Sequence, residues 1–202
     1  MIALIDYGAG NVRSVHKALT AVGADVSITQ RPEDVLRADK VVLPGVGAFG
    51  DCMAGLKELE MVAAIQDVVR RGIPFLGICV GMQVMFDVGL EMGYHQGLGL
   101  LPGKVTRFTI DQALKVPHTG WNQIEPRQPV YLLRYLPLDS WAYFNHSFIC
   151  EAHPEHILAT TDYGGPFACV VGQENVMGIQ FHPEKSQHVG LHIMRNFVAS
   201  GN

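Results

Sequence analysis

The spacing of apolar positions divides the chain into two halves. In the first, short apolar runs alternate with stretches of helical period. Residues 2–6 (IALID) read as a buried strand, followed by a Gly-rich turn at Tyr7-Gly8-Ala9-Gly10-Asn11. Val12, Val15, Leu19 and Val22 then recur at the helical period, with Gly23 placed to stop the helix. Residues 25–29 predict a second strand, and Pro32 to Asp39 a short helix with Pro near its start. Residues 40–43 predict a third strand, closed by Pro44-Gly45. A longer helix is predicted over roughly 51–71 from the stripe Met53, Leu56, Leu59, Val62, Ile65 and Val69, with Gly72 as its stop. Strand Pro74 to Ile78 leads into an apolar helix from about Val80 to Phe86. Strands this apolar, alternating with helices, are buried on both faces. They predict an α/β fold with an open, mostly parallel sheet and helices on both sides, of the flavodoxin-like kind.

After Gly97-Leu98-Gly99 the helical period fades. Runs at 104–109, 141–151, 157–161, 167–172 and 176–181 sit between turns and predict antiparallel strands and hairpins. A final helix begins near Ser186 and carries Leu191, Met194, Phe197 and Val198. There is no internal repeat and no linker, so the pattern predicts one domain over 1–202 with an antiparallel second half.

Composition narrows the classes. The chain has 202 residues, 48% of them hydrophobic and 17% charged, enough for a sizeable core and incompatible with a disordered chain. Fifteen Lys and Arg against 19 Asp and Glu give a net charge of −4. That leaves no basic excess for non-specific nucleic-acid binding and no basic tract for a membrane surface. No apolar stretch approaches the ~20 residues a membrane span needs. MIALIDYG lacks a basic region ahead of its apolar run, so it reads as a strand and not as a signal peptide. The four Cys contain no CxxC pair, which argues against a zinc ribbon and a disulfide scaffold. The expected compartment is the reducing cytoplasm, where a thiol is free to act.

Two glycine motifs invite a nucleotide reading. Gly45-Val46-Gly47-Ala48-Phe49-Gly50 satisfies GxGxxG after a strand, but the next strand, PFLGI, runs into Cys79 and not into an acid. Gly8-Ala9-Gly10 does follow the first strand, but Arg13 replaces the third glycine. Neither fits a dinucleotide fingerprint. Both still expose backbone N–H groups at strand C-termini, the edge where open α/β sheets bind ligands.

Gly77-Ile78-Cys79-Val80-Gly81, between a strand and a helix, is the thiol version of the G-x-S-x-G nucleophile elbow. Glycines on both sides relieve the crowding of a strained turn, and a helix N-terminus favours the thiolate. Cys52, Cys150 and Cys169 lack this context and read as small buried core residues. A thiol nucleophile needs a base. Among nine His, His182 stands out: it follows the apolar run 176–181 and precedes Pro183-Glu184. Two residues apart near a strand end, His182 and Glu184 turn to the same side, so the carboxylate can orient the imidazole. His153-Pro154-Glu155 is a second copy of the tripeptide, but it follows the poor buried strand end Cys150-Glu151-Ala152 and reads as a solvated loop. His188 and His192 have helical i, i+4 spacing without an HExxH pattern, so no metal site is expected.

These residues resemble a known family. GICVGMQ (77–83) and QFHPEKS (180–186) are similar to the nucleophile and His/Glu motifs of class I, triad-type glutamine amidotransferases, and Pro44-Gly45-Val46-Gly47 resembles their oxyanion strand. DYGAGNVRSV (6–15), KVPHTGWN (115–122) and FHPEKSQHVGLHIMRNF (181–197) narrow the likeness to the glutaminase subunits of imidazole glycerol phosphate synthases, over essentially the whole chain. The sequence departs from that pattern at Val80, Thr119, Asn145 and Phe148, where Leu, Met, Val and Tyr are common.

The resemblance implies a mechanism and a partner. Cys79 would attack the side-chain amide of glutamine, His182 would move the proton, and Glu184 would orient His182. A thioester would follow and be hydrolysed to glutamate. Val80 and the Gly45-Val46-Gly47 strand would hold the oxyanion, while Gln83, Glu91, His146 and Ser147 would hold the substrate. Ammonia would pass to a (βα)8-barrel cyclase subunit, in a heterodimer, that makes imidazole glycerol phosphate and an aminoimidazole carboxamide ribonucleotide for histidine biosynthesis. Asn11, Trp121 and Lys185 would lie at that interface. No cofactor is implied. The residues alone leave other readings open: a stand-alone thiol hydrolase (peptidase-like or a γ-glutamyl hydrolase), the glutaminase of another amidotransferase, or a regulatory module that kept the fold.

Overall fold

The computed structural model describes residues 1–109 and 114–200. In chain order the elements are β1 (Ile2–Ile5), α1 (Val12–Ala21), β2 (Val26–Thr29), α2 (Pro32–Leu36), β3 (Lys40–Gly45), α3 (Phe49–Glu58), α4 (Met61–Arg70), β4 (Phe75–Cys79), α5 (Val80–Gln83), β5 (Phe86–Gly89), β6 (His95–Gln96), β7 (Leu101–Arg107), β8 (His118–Gln123), β9 (Glu125–Pro126), β10 (Trp141–His146), β11 (Phe148–Ala152), β12 (Ile157–Asp162), β13 (Pro166–Gln173), β14 (Val176–Ile179) and α6 (Gln187–Ala199). Among the described residues the main sheet has eight strands in the order β2-β1-β3-β4-β14-β13-β12-β9. The first five are parallel and the last three join antiparallel. Smaller sheets, β11-β7-β5-β6 and β10-β8, stand beside it.

The apolar runs of β1, β3, β4 and β14 are buried at every position, as expected of strands covered on both faces. Helices α1 and α6 pack together, and α4 packs on α2 and α3. Phe49, Phe75, Phe86, Phe144, Phe181 and Phe197 are fully buried, so both halves of the chain supply the core.

Three expectations need correction. The helix predicted over 51–71 is two helices, broken at Leu59-Glu60, where Glu60 takes φ 55°. The break shifts the phase of the stripe: Met61, Ala64, Ile65 and Val68 are buried in α4, whereas Val62 and Val69 are half-buried. An i+3 step from Leu59 to Val62 hides that slip from a periodicity argument. The helix predicted from Val80 to Phe86 stops at Gln83, and Phe86–Gly89 is a strand. A short apolar run fits either state, and here β7 and β6 on either side of β5 decide it. Finally, the run 141–151 is two strands that separate at Ser147 into different sheets, β10 against β8 and β11 against β7. Strand β8 itself has too little apolar alternation (HTGWNQ) to be legible as a strand.

Candidate active site

Strands β3, β4 and β14 lie side by side, with Gly45 opposite Cys79 and Ile179 opposite Ile78. Their C-terminal ends therefore converge on one edge of the sheet. At that edge Cys79 has φ 55° and ψ −112°, a conformation that L-residues adopt only when their surroundings impose it. The flanking glycines show what imposes it. A Cβ on Gly81 would sit 2.0 Å from the Leu43 carbonyl oxygen, and one on Gly77 would sit 2.5 Å from the Gly81 carbonyl oxygen. Backbone from β3, β4 and α5 meets there with no room for a side chain. Gly45 is equally tight, since its Cβ would lie 2.6 Å from the Gly81 nitrogen. The elbow is thus wedged against the candidate oxyanion strand. Helix α5 is a single turn, shorter than the sequence predicts, so it contributes its first N–H groups at the thiol more than an extended dipole.

His182 and Glu184 arrive from β14. Phe181 carries the chain past the sheet end, and Pro183–Lys185 forms a 3-10 turn. The turn is tied down on β10: the His182 N–H donates to the Tyr143 carbonyl (2.9 Å), the Tyr143 N–H donates to Ser186 Oγ (3.0 Å), and Ser186 Oγ donates to the His182 carbonyl (2.6 Å). Helix α6 presses on it from outside, so closely that a Cβ on Gly190 would overlap the Pro183 carbonyl. The His182 ring donates from Nδ1 to Glu184 Oε1 at 2.9 Å, both side chains being almost wholly buried. Asn11 Nδ2 donates to the same carboxylate oxygen at 3.1 Å. Burial opposes a charge on His182, but hydrogen bonding and electrostatic attraction from Cys79 and Glu184 outweigh burial and raise its pKa to about 10. The arrangement can take a proton from sulfur and hold the resulting imidazolium.

The thiol opens onto a cleft of about 210 Å³. Cys79, Val80, Val46, Gly47 and His182 line one part of it, and Gln83, Glu91, His146 and Ser147 another, with Lys185 at its margin. Nearly all residues singled out for the thiol, oxyanion and substrate roles thus share one cleft. Gly45 stands just behind it, at the end of β3. Glu91 Oε2 accepts the backbone N–H of Phe49 at 2.8 Å, so this carboxylate anchors the start of α3. His146 donates from Nδ1 to the Phe148 carbonyl at 2.8 Å, and burial pushes its pKa down to about 3, which keeps it neutral. The other three Cys are buried core residues, and burial raises all three thiols.

The residues expected at an interface divide. Trp121 is 42% exposed, its ring centroid 6.0 Å from that of Tyr143, and the Lys185 ammonium lies 5.5 Å from the centroid of the same Tyr143 ring. Tyr143, absent from the sequence reading, joins the two. Asn11 instead touches the buried acid of the site itself. Two of the departures from the family pattern pair with each other: Thr119 and Asn145 face across β8 and β10, and Thr119 Oγ1 donates to Asn145 Oδ1 at 3.1 Å. Sequence reasoning also missed Gln180, a fully buried side chain whose Nε2 lies 3.7 Å from Cys79 Sγ. The chain bends at Gln180 and Phe181, so the spacing of two from His182 carried no signal that Gln180 faces Cys79.

Similarity to known proteins shows the family. The family model for class-I glutamine amidotransferases matches residues 3–200. The chain is 47% identical over 198 residues to an imidazole glycerol phosphate synthase subunit HisH of Desulfitobacterium hafniense, covering 98% of this chain and 93% of that one. It is 51% identical over 205 residues to the HisH subunit of Zymomonas mobilis, covering 98% and 94%. Among solved structures, one described as a glutamine amidotransferase superposes with a TM-score of 0.75 at 17% identity, covering 98% of this chain and 99% of that chain. The PurLQS structure from Thermotoga maritima does so with a TM-score of 0.75 at 18% identity, covering 97% and 96%. The structures speak to the fold, and the family match together with the near full-length relatives speaks to ancestry: the chain belongs to the class-I glutamine amidotransferases, among the HisH subunits of imidazole glycerol phosphate synthase.

Proposed function

We propose that this chain is a glutaminase that hydrolyses glutamine and hands the ammonia to a cyclase subunit which makes imidazole glycerol phosphate. The observation that carries the reading is Cys79 on a strained elbow, set against His182, which is hydrogen-bonded to Glu184 at 2.9 Å. His182 takes the thiol proton, and the Cys79 sulfur attacks the glutamine side-chain carbonyl. The oxyanion forms between the Val80 N–H and a donor from Gly45-Val46-Gly47, where one such donor is typically worth ~10²–10³ in rate. His182 returns its proton to the departing ammonia. Water then cleaves the thioester to glutamate, with His182 as base again. Gln83, Glu91 and the backbone of His146-Ser147 hold the amino-acid head group.

The whole chain acts as one amidotransferase domain in this reading. The relatives carry the name of a subunit, and the partner proposed here is a (βα)8-barrel cyclase, docked across Trp121, Tyr143 and Lys185 with Asn11 behind them. Among the described residues no helix is long and apolar enough to cross a membrane, and the proposed setting is the cytoplasm. The test is glutamate release from glutamine, with and without a cyclase subunit and its nucleotide ligand. Low release alone and a strong rise with both is the expected result. Full release by the chain alone would favour a stand-alone thiol hydrolase. Cys79→Ala should abolish glutamine use and leave the assembled cyclase active on free ammonium.

A further inference from the structure

We infer that Gln180 and Gln83 form a hydrogen-bond relay that ends on the Cys79 sulfur, so that a donor bound in the cleft at Gln83 strengthens the hold on the nucleophile. The nature of that donor, the α-ammonium of an amino-acid substrate, rests on the glutaminase reading. The relay itself rests on geometry.

Gln83 Nε2 lies 3.1 Å from the Phe148 carbonyl oxygen and 3.1 Å from Gln180 Oε1. A carbonyl accepts only, so the nitrogen of Gln83 must be the atom facing Phe148. Its second N–H then goes to the oxygen of Gln180. With that oxygen accepting, the nitrogen of Gln180 is the atom facing Cys79 Sγ, at 3.7 Å, within reach of an N–H donor for an atom as large as sulfur. The orientation of both amides follows from one fixed acceptor on the backbone.

Both side chains are buried, Gln180 completely. Buried amides are retained at a cost unless their groups are used. The Gln180 backbone is fixed as well, its N–H donating to the Cys169 carbonyl at 2.9 Å. The two N–H groups of the relay point the same way, from Gln83 to Gln180 and from Gln180 to sulfur, while the other N–H of Gln83 is held by Phe148. Gln83 lines the cleft. With both its N–H groups engaged, its carbonyl oxygen is the group left for an incoming donor. A donor there polarises the Gln83 amide, which makes its N–H a better donor to Gln180, which in turn donates more strongly to sulfur. Substrate binding and nucleophile activation are thereby coupled through two side chains. Gln180 touches the reacting atom, and Gln83 acts on it as a positioning residue.

The test is the pH profile of Cys79 alkylation by iodoacetamide, on the full chain, for the parent, Gln180→Met and Gln83→Met. Methionine keeps the length and apolar fit of a buried site without an amide. His182, Tyr7 and Cys150, which interact with Cys79, and Glu91, His146 and Lys185, which share its cleft, are unchanged in each variant. The profile of Gln180→Met should move about one unit to higher pH, a roughly tenfold loss of alkylation rate on its acid side. Gln83→Met should move in the same direction by a smaller amount, although it does not touch the sulfur. Urea unfolding identifies a variant that fails to fold, and Gln180→Glu then supplies a second version of the same size in which an acceptor replaces the donor and the shift is larger. Profiles that coincide with the parent in folded variants overturn the relay. The assay contains no glutamine, so a shifted profile in a chain that cannot hydrolyse glutamine would keep the relay and sink only the glutaminase reading.

Discussion

The chain contains the same tripeptide twice, and the two copies fold alike but end in different surroundings. His153-Pro154-Glu155 and His182-Pro183-Glu184 each place His in an extended conformation before a 3-10 turn. Each closes the turn with the same bond, from the N–H three residues on to the His carbonyl, at 2.9 and 3.0 Å. There the likeness stops. Glu155 is exposed and lies 3.6 Å from His156, whereas Glu184 is buried and holds His182 at 2.9 Å. The difference comes from the strand in front. β11 is the outer strand of the small sheet, paired with β7. β14 lies between β4 and β13 in the main sheet, with Ile179 opposite Ile78. Local chemistry makes the turn in both cases. Only the second strand delivers it beside Cys79.

That comparison can be broken most directly at the histidines. His182→Ala should lower glutamate release by at least about 10⁴-fold, as removal of a base that acts as a unit with its nucleophile does. His153→Ala should leave release unchanged, and a comparable loss there would end the distinction between the two copies. At the acids, Glu184→Gln should cost on the order of 10⁴-fold in kcat, because the amide cannot stabilise the imidazolium. Glu155→Gln should cost nothing in the same assay.

The support of the second turn gives a smaller effect. Ser186→Ala removes a buried hydroxyl that serves both the His182 carbonyl and the Tyr143 N–H. It should lower stability to urea by about 1–3 kcal/mol. An unchanged unfolding midpoint would mean that α6 alone holds the turn. Asn11→Ala removes the second hydrogen bond to Glu184 and should cost about tenfold in kcat for the chain assayed without partner. The pH dependence is the finest probe. His182 has a raised folded value near 10, so the native state binds this proton more tightly than the unfolded chain, whose histidine stays near 6.5. The stabilisation is complete below about 6.5 and is lost as pH rises through about 10. The gap in urea stability between the parent and His182→Gln should therefore narrow steadily from pH 7 to pH 10.

The legibility of the fold follows the range of the forces that shape it. Strands β1, β3 and β4 could be read because they are apolar at every position, which leaves few alternatives. The break at Glu60 could not, because the half-buried Leu59 and Val62 kept an apparent i+3 rhythm across it. The division of 141–151 at Ser147 could not, because both halves are β-like and only their partners differ. In the candidate site, Cys79 was legible from its flanking glycines, whose missing side chains are required by backbone atoms closer than 3 Å. Gln180 was overlooked because a Gln before an aromatic carries no signal until its neighbour across the sheet is known.

The sequence by itself determined the alternation of strand and helix, the elbow at Cys79, and the His182/Glu184 pair, since each depends on residues close together along the chain. The tertiary structure alone decided that Asn11 reaches Glu184, that Tyr143 joins Trp121 to Lys185, and that Gln83 and Gln180 line up on the sulfur. Those contacts join residues from 22 to 173 positions apart along the chain only through strand pairing and packing, and local propensity carries no information about pairing at that range.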